Sequence, residues 1–241
     1  MAQCLGFSGE LSVVHDFLGY QTQFSGRNIS LLRQVQLLQN RFINLNIIRV
    51  GFDNFSAADH EAIDNAVQIT RNIYGTVNLG IGRLDYFDIS VAASNGRDVI
   101  NNDAEASSLT GEWTVPNASL DVFFVLNPWA SGMAGFNTLG FSAVSGPCNK
   151  DAIFVMTGSV ISIRTTPPVV LAHELGHYLG LSHVCEFASG ATSCSPSGNC
   201  QPAHTSSLMY PCAIPGTINL SNSEGQRMNV HCFVNGGCPG G

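Results

Sequence analysis

Three histidines and a glutamate fall within one short run, His173-Glu174-Leu175-Gly176-His177-Tyr178-Leu179-Gly180-Leu181-Ser182-His183. His173 and His177 are four residues apart, so a helix places them on one face. Neutral imidazole nitrogen binds zinc at about 2.0–2.1 Å, and a reactive zinc site keeps one position open for water. A straight helix would carry the chain away from the metal after His177. Gly180 can take a positive φ, end the helix and let the chain turn. His183 can then approach as the third ligand. Glu174 sits beside the ligands without being one, where it can take a proton from zinc-activated water as general base. A surface helix with ordinary histidines is the alternative reading, but it does not explain why three of only seven histidines fall on one ligand pattern.

The extended pattern HExxHxxGxxH resembles that of the metzincin clan of zinc metallopeptidases. Ser207-Leu208-Met209-Tyr210-Pro211 follows His183 and is similar to the clan's Met-turn. By that resemblance, Met209 lies beneath the zinc ligands, where a soft thioether packs without demanding a hydrogen bond. Some clan members carry a Tyr two places beyond this Met; here that place is Pro211. Tyr210 is therefore expected in the substrate pocket, not on the metal. The wording of the turn is similar to the matrixins. The cysteine-containing stretch before it and Gly225-Gln226-Arg227-Met228 resemble the pappalysin-like enzymes.

The resemblance implies an α/β (α+β) metzincin-like fold. It has a twisted, mostly parallel sheet with an antiparallel edge strand and two long helices, followed by a loop-rich, disulfide-stapled C-terminal subdomain. In the clan the edge strand borders the cleft, and an extended peptide can add to it. Gly140-Phe141-Ser142-Ala143-Val144 matches that strand, which makes Phe141, Ser142 and Ala143 candidate pocket residues. The expected organisation is an N-terminal extension or arm over 1–41, an N-terminal subdomain with the zinc helix over 42–183, and a C-terminal subdomain over 184–241.

The elements that must position these residues are partly legible. Apolar spacing predicts a helix over 29–41 and a strand over 42–50. Ser56, with Asp59 three residues on, is an N-cap for a helix over 57–74, whose stripe is Ile63, Ala66, Val67, Ile69, Thr70 and Ile73. Strands are expected over 83–91, 119–126, 141–144 and 152–156, with a loop over 127–140. Leu120-Asp121-Val122-Phe123-Phe124-Val125-Leu126 is nearly all apolar, as a buried central strand requires. Ser221 with Glu224 opens a short helix over 222–230.

Composition narrows the function classes. The chain has 241 residues, 44% hydrophobic and 11% charged, with a net charge of −7. Lys150 is its only lysine, and no basic patch exists for a phosphate backbone, so nucleic acid is not an expected partner. No apolar run is long enough to span a membrane. The N-terminus has no basic region followed by an apolar core and is not read as a signal peptide.

Eight cysteines stand at 4, 148, 185, 194, 200, 212, 232 and 238, six of them after the zinc motif. An even number in a Gly-, Ser- and Pro-rich region reads as disulfides in a secreted protein. A second, cysteine-ligated zinc is the alternative, though the tight CxxC pairs it favours are missing. Cys4 could restrain the metal as a thiolate, or pair with Cys148 or a C-terminal cysteine. Calcium is common in the clan, but Asp85, Asp88, Asp98, Asp103 and Asp151 are scattered without an EF-hand pattern.

The function expected is a monomeric, zinc-dependent endopeptidase acting on peptides or proteins. An inactive metzincin-fold binding protein and a zinc hydrolase of a non-protein amide are the alternatives. The intact Glu174 weighs against the first of these.

Overall fold

The computed structural model describes residues 37–38, 40–130, 137–150, 156–164, 166–185, 200–212 and 217–236. Nearly all of the N-terminal arm read over 1–41, with most of the helix read over 29–41, and Cys4, Cys194, Cys238 and Asp151 lie outside them.

Strand β1, Arg41–Val50, leads through a short 3-10 turn to helix α1, Ala57–Gly75. The cap predicted from sequence is present as a reciprocal capping box between Ser56 and Asp59. Strand β2, Leu79–Ile89, follows, then helix α2, Asp103–Glu112, and strand β3, Leu120–Val125. Strand β4, Gly140–Phe141, and strand β5, Gly158–Ser162, lead to the metal-motif helix α3, Val170–Tyr178. Helix α4, Asn222–Met228, and strand β6, Asn235–Gly236, come last.

The sheet runs in the order β2-β1-β3-β5-β4, with β6 paired to the start of β1. Strands β2, β1, β3 and β5 are mutually parallel, and β4 runs antiparallel to β5. Alternation along each strand sends side chains to opposite faces. Ile43, Leu45 and Ile47 of β1 join Val122 and Phe124 of β3 under α1 and α3. Ile48, Val50, Phe123 and Val125 form the other face, covered by Ala106 and Leu109 of α2. Burying each Val, Leu, Ile or Phe contributes roughly 1.5–3 kcal/mol. A sheet covered on both faces therefore gives α3 a rigid floor.

Four expectations are corrected. The edge strand read over 141–144 is only β4, Gly140–Phe141, because the chain leaves the sheet after Phe141 and turns at residues 144–145 onto the end of α3. The strand read over 152–156 lies largely outside the described residues, and the observed strand is β5, displaced to 158–162. Its Ser159 and Ser162 are buried, in a strand flanked by β3 and β4. The strand read over 83–91 runs from Leu79 to Ile89, and its Gly80 and Gly82 lie close against Leu37 and Phe42, where a side chain would not fit. The loop read over 127–140 contains the strand pair Trp129–Ala130 and Asn137–Thr138, and its last residue opens β4. Helix α2 was not foreseen. Only Ala106, Leu109 and Thr110 of it are buried, so its apolar stripe is thin. The Asn102 cap, which accepts from Glu105 N, was the available signal.

Disulfides join Cys148 to Cys232 and Cys185 to Cys200. Cys212 is also disulfide-bonded, to a cysteine outside the described residues, among which none is free. Cys148 is thus not the partner of Cys4. Nor do Cys148 and Cys232 hold a second metal, although His231 lies beside them: their sulfurs are bonded to each other.

Candidate metal centre

Helix α3 carries His173, Glu174 and His177 and stops where the sequence says it should. Gly180 has φ +102°, and the Leu181 N–H returns to the Gly176 carbonyl at 2.9 Å. This is the bond pattern of a left-handed helix end. The freed chain brings His183 back. The Nε2 atoms of His173, His177 and His183 lie 3.1–3.2 Å from one another.

Two of the rings are oriented from behind. His173 Nδ1 donates to the Leu208 carbonyl at 2.7 Å, and His177 Nδ1 donates to the Leu181 carbonyl at 2.8 Å. A carbonyl only accepts, so the proton sits on Nδ1 and the lone pair on Nε2. Lone pairs converging at this spacing repel unless a cation stands between them. Tetrahedral zinc with ligands at about 2.0–2.1 Å needs a nitrogen–nitrogen edge of roughly 3.3 Å, close to the spacing found. The donor set fits zinc.

Electrostatics favour the same state. Burial, reinforced by the neighbouring imidazoles His177 and His183, pulls His173 down to about 3. Burial and the neighbouring His177 bring His183 to about 4, and burial lowers His177. All three are neutral at pH 7, as metal ligation requires. Glu174 is buried and pushed up to about 8 by desolvation. A cation held by the three histidines favours its charged form and opposes that rise.

The Met-turn lies where the motif needs it. Met209 is fully buried, and its Sδ occupies the space that a Cβ on Gly176 would require, 2.9 Å away. The preceding residue, Leu208, supplies the carbonyl that holds His173, and Val184 N–H bonds Met209 O at 3.0 Å. The turn thus orients one ligand and pins the chain just past another. Tyr210 is 5% exposed and packs among Cys185, Cys212, Val184 and Cys200. Behind α3, the Tyr74 hydroxyl donates to the Ala172 carbonyl at 2.8 Å.

The segment from β4 to Cys148 wraps the same helix. Ser145 N–H and Gly146 N–H donate to the His177 and Tyr178 carbonyls at 2.9 and 2.8 Å, capping the helix end. Phe141, Ser142 and Ala143 are half-buried in this segment, and Ser142 Oγ lies 2.8 Å from Ser159 Oγ. Sequence reasoning did not foresee that Gly140 lies directly against the Glu174 side chain, nor the carbonyls that orient the rings. Both depend on residues distant in the chain.

The other described histidines lie outside the ligand cluster. His204 Nδ1 accepts from Gln201 N in a 3-10 turn. His231 bonds Gly146 O, and His60 stacks on Phe55. The aspartates considered for calcium are engaged elsewhere: Asp85 with Arg83, Asp88 with Arg49, Asp98 with Ser94 and Asp103 with Trp129. Among the described residues no acidic metal-binding group stands out.

A family model described as Metallo-peptidase family M12 matches residues 57–222. No curated protein matches the chain. Among solved structures, metalloproteinase-II from Bacteroides fragilis is similar at 16% identity with a TM-score of 0.49, over 81% of this chain and 54% of that one. A chain in a structure titled a chaperone-substrate complex is similar at 13% identity with a TM-score of 0.46, over 81% of this chain and 35% of that one. The chain thus spans about half the length of the first and a third of the second. The resemblance read from the motif left pappalysin-like and matrixin-like open; the model that matches is M12. With more than half of its length inside that model and the three histidines assembled around one point, the chain belongs to Metallo-peptidase family M12 and carries a metzincin-type zinc site.

Proposed function

We propose that this chain is a zinc-dependent endopeptidase with Glu174 as general base. The observation that carries the reading is the convergence of three imidazole Nε2 atoms beside a buried carboxylate that is not itself a ligand. His173, His177 and His183 hold the metal. Zinc, when bound, supplies Lewis acidity and brings the pKa of water from 15.7 to about 7.

The chain's own residues do the rest. Glu174 accepts the proton of the attacking water at its carboxylate and passes it to the leaving amine. Its buried position raises its proton affinity, which suits a group that must both take and give a proton near neutral pH. The Leu208 and Leu181 carbonyls fix the ring tautomers of His173 and His177, and buried Met209 packs against Gly176, which lies between them in sequence.

Substrate peptides lie extended along β4, with Phe141, Ser142 and Ala143 lining the cleft and Tyr210 backing it. A β-strand added to a sheet edge is read mainly through its backbone, so peptides and proteins are the substrate class. Three disulfide-bonded regions support a secreted, extracellular protein. We read it as a monomer with an N-terminal subdomain over 42–183 and a C-terminal subdomain over 184–241. No helix of the described residues is long and apolar enough to cross a membrane.

The test is Glu174→Gln assayed on a peptide library beside the parent, with zinc measured in both. The variant should keep its metal and lose cleavage by roughly 10²–10⁴-fold. Near-normal turnover with full metal would refute the role of Glu174. A zinc-loaded parent that cleaves no peptide or protein would refute the enzyme reading.

A further inference from the structure

Gly140, the first residue of β4, lies against the Glu174 side chain. A Cβ placed on Gly140 would stand 2.6 Å from Glu174 Cγ, 2.8 Å from Oε1 and 2.9 Å from Cδ. Side-chain carbons in proteins do not approach so closely, so a side chain at 140 must displace something. Two parties could move, the strand or the carboxylate.

The strand is held on both sides. Gly140 and Phe141 pair with Ile161 and Val160 of β5, and Ser162 N–H bonds the Leu139 carbonyl at 2.9 Å. Phe141 packs on the apolar cluster of the second sheet face. A few residues on, Ser145 and Gly146 are hydrogen-bonded to the end of α3, and Cys148 is bonded to Cys232. Among the described residues no hydrogen bond holds the Glu174 carboxylate, and it ends a side chain with rotatable bonds. The carboxylate is what yields.

We infer that Gly140 is a positioning residue for the general base: its missing side chain lets the cleft-bordering strand seat directly on Glu174 and fixes where the carboxylate stands. The inference rests on the endopeptidase reading for its catalytic consequence, but the contact itself does not depend on that reading. The close approach requires glycine for space, not for backbone conformation, because the φ of Gly140 is not positive. Alanine is thus the smallest change that tests it.

Gly140→Ala should keep its zinc and lower kcat by roughly 10–100-fold, the cost expected when a reacting group is misplaced by about 1 Å. KM should stay within about threefold, because the strand's backbone is unchanged. Two readouts do not use turnover. In metal-free protein, Gly140→Ala should lower Tm when Glu174 is present and leave it unchanged in a Glu174→Ala background, where the displaced atoms are gone. A fluorescent peptide drawn from a cleaved library sequence, or selected from the same peptide library for binding to the parent if the parent proves inactive, should bind Glu174→Ala and Gly140→Ala/Glu174→Ala with Kd values within threefold of each other.

If Gly140→Ala does not fold but the double variant does, the clash with Glu174 is upheld. The inference is overturned if Gly140→Ala retains kcat within twofold. It is also overturned if the Tm loss is equal in both backgrounds, if neither variant folds, or if peptide binding falls more than tenfold in the Glu174→Ala background. That last result would assign Gly140 to holding substrate instead of the base. An inactive, zinc-loaded parent defeats the endopeptidase reading alone, since the paired Tm measurements still report the contact.

Discussion

Replacing Lys150 by methionine removes the chain's only lysine from a site where its side chain is 7% exposed. Its Nζ donates to Asp121 Oδ1 at 2.8 Å and to the Val115 carbonyl at 2.9 Å, and lies 5.5 Å from the Phe233 ring centre. The Asp121 side chain is fully buried on β3. Breaking such a pair by removing one partner costs about 3–5 kcal/mol, because the remaining charge is left uncompensated. Here the carboxylate keeps three other donors: Asn46 Nδ2, Thr114 Oγ1 and Val115 N–H. Those soften the loss, while the Val115 carbonyl loses a partner. The balance is about 2–4 kcal/mol, against 3–5 for an unsupported carboxylate. For a chain of this size each kcal/mol moves Tm by about 2–4 °C, so Tm should fall by roughly 5–15 °C. Methionine preserves volume and apolar contact, so the loss reports the charge and not a cavity. The assay is thermal unfolding by circular dichroism, repeated with Asp121→Asn and with the double variant. The double variant removes both charges and should recover part of the loss. A Tm change below 2 °C, or a double variant less stable than Lys150→Met alone, would show that the ion pair does not hold this loop to the sheet.

Three more outcomes are expected. His177→Ala should purify with far less zinc than the parent, measured by mass spectrometry; equal zinc in both would refute the ligand assignment. Hydrogen bonds from Arg164 hold the Asp59 carboxyl well below the usual carboxylate range, at a helix N-terminus where negative charge is favoured. A depressed folded-state pKa gives stability that is present above the unfolded value of about 3.9 and lost as pH falls through the folded one. The Tm gap between parent and Asp59→Asn should therefore be largest above pH 5 and close below pH 4; a gap that widens on acidification would reverse the assignment. Cys148→Ser/Cys232→Ser should lower Tm and speed proteolysis in the 140–148 segment, since a disulfide of a secreted domain typically contributes about 2–5 kcal/mol; an unchanged digestion pattern would show that the backbone bonds to α3 suffice.

Local patterns carried their information intact from sequence to structure. The eleven residues from His173 to His183 encode a helix, its glycine end and the return of the third ligand, because each step is set by neighbours within a turn or two. Ser56 with Asp59 and Ser221 with Glu224 formed the capping boxes that their spacing announced, for the same reason. The run of β3, apolar at every position but Asp121, read as a buried strand covered on both faces. What tertiary structure decided was whatever depends on partners far along the chain. Strand β5, with two serines that only its neighbours bury, was not read from the sequence, and Cys148 had no visible reason to choose Cys232. The carbonyl of Leu208 holds His173 across 35 residues of sequence. Gly140 meets Glu174 across a fold that no spacing rule describes. Sequence therefore specified which side chains could do chemistry, since ligand type and helical spacing are local properties. Packing alone specified the rotamers, tautomers and close contacts that make those side chains a site, since these are fixed by atoms that only folding brings together.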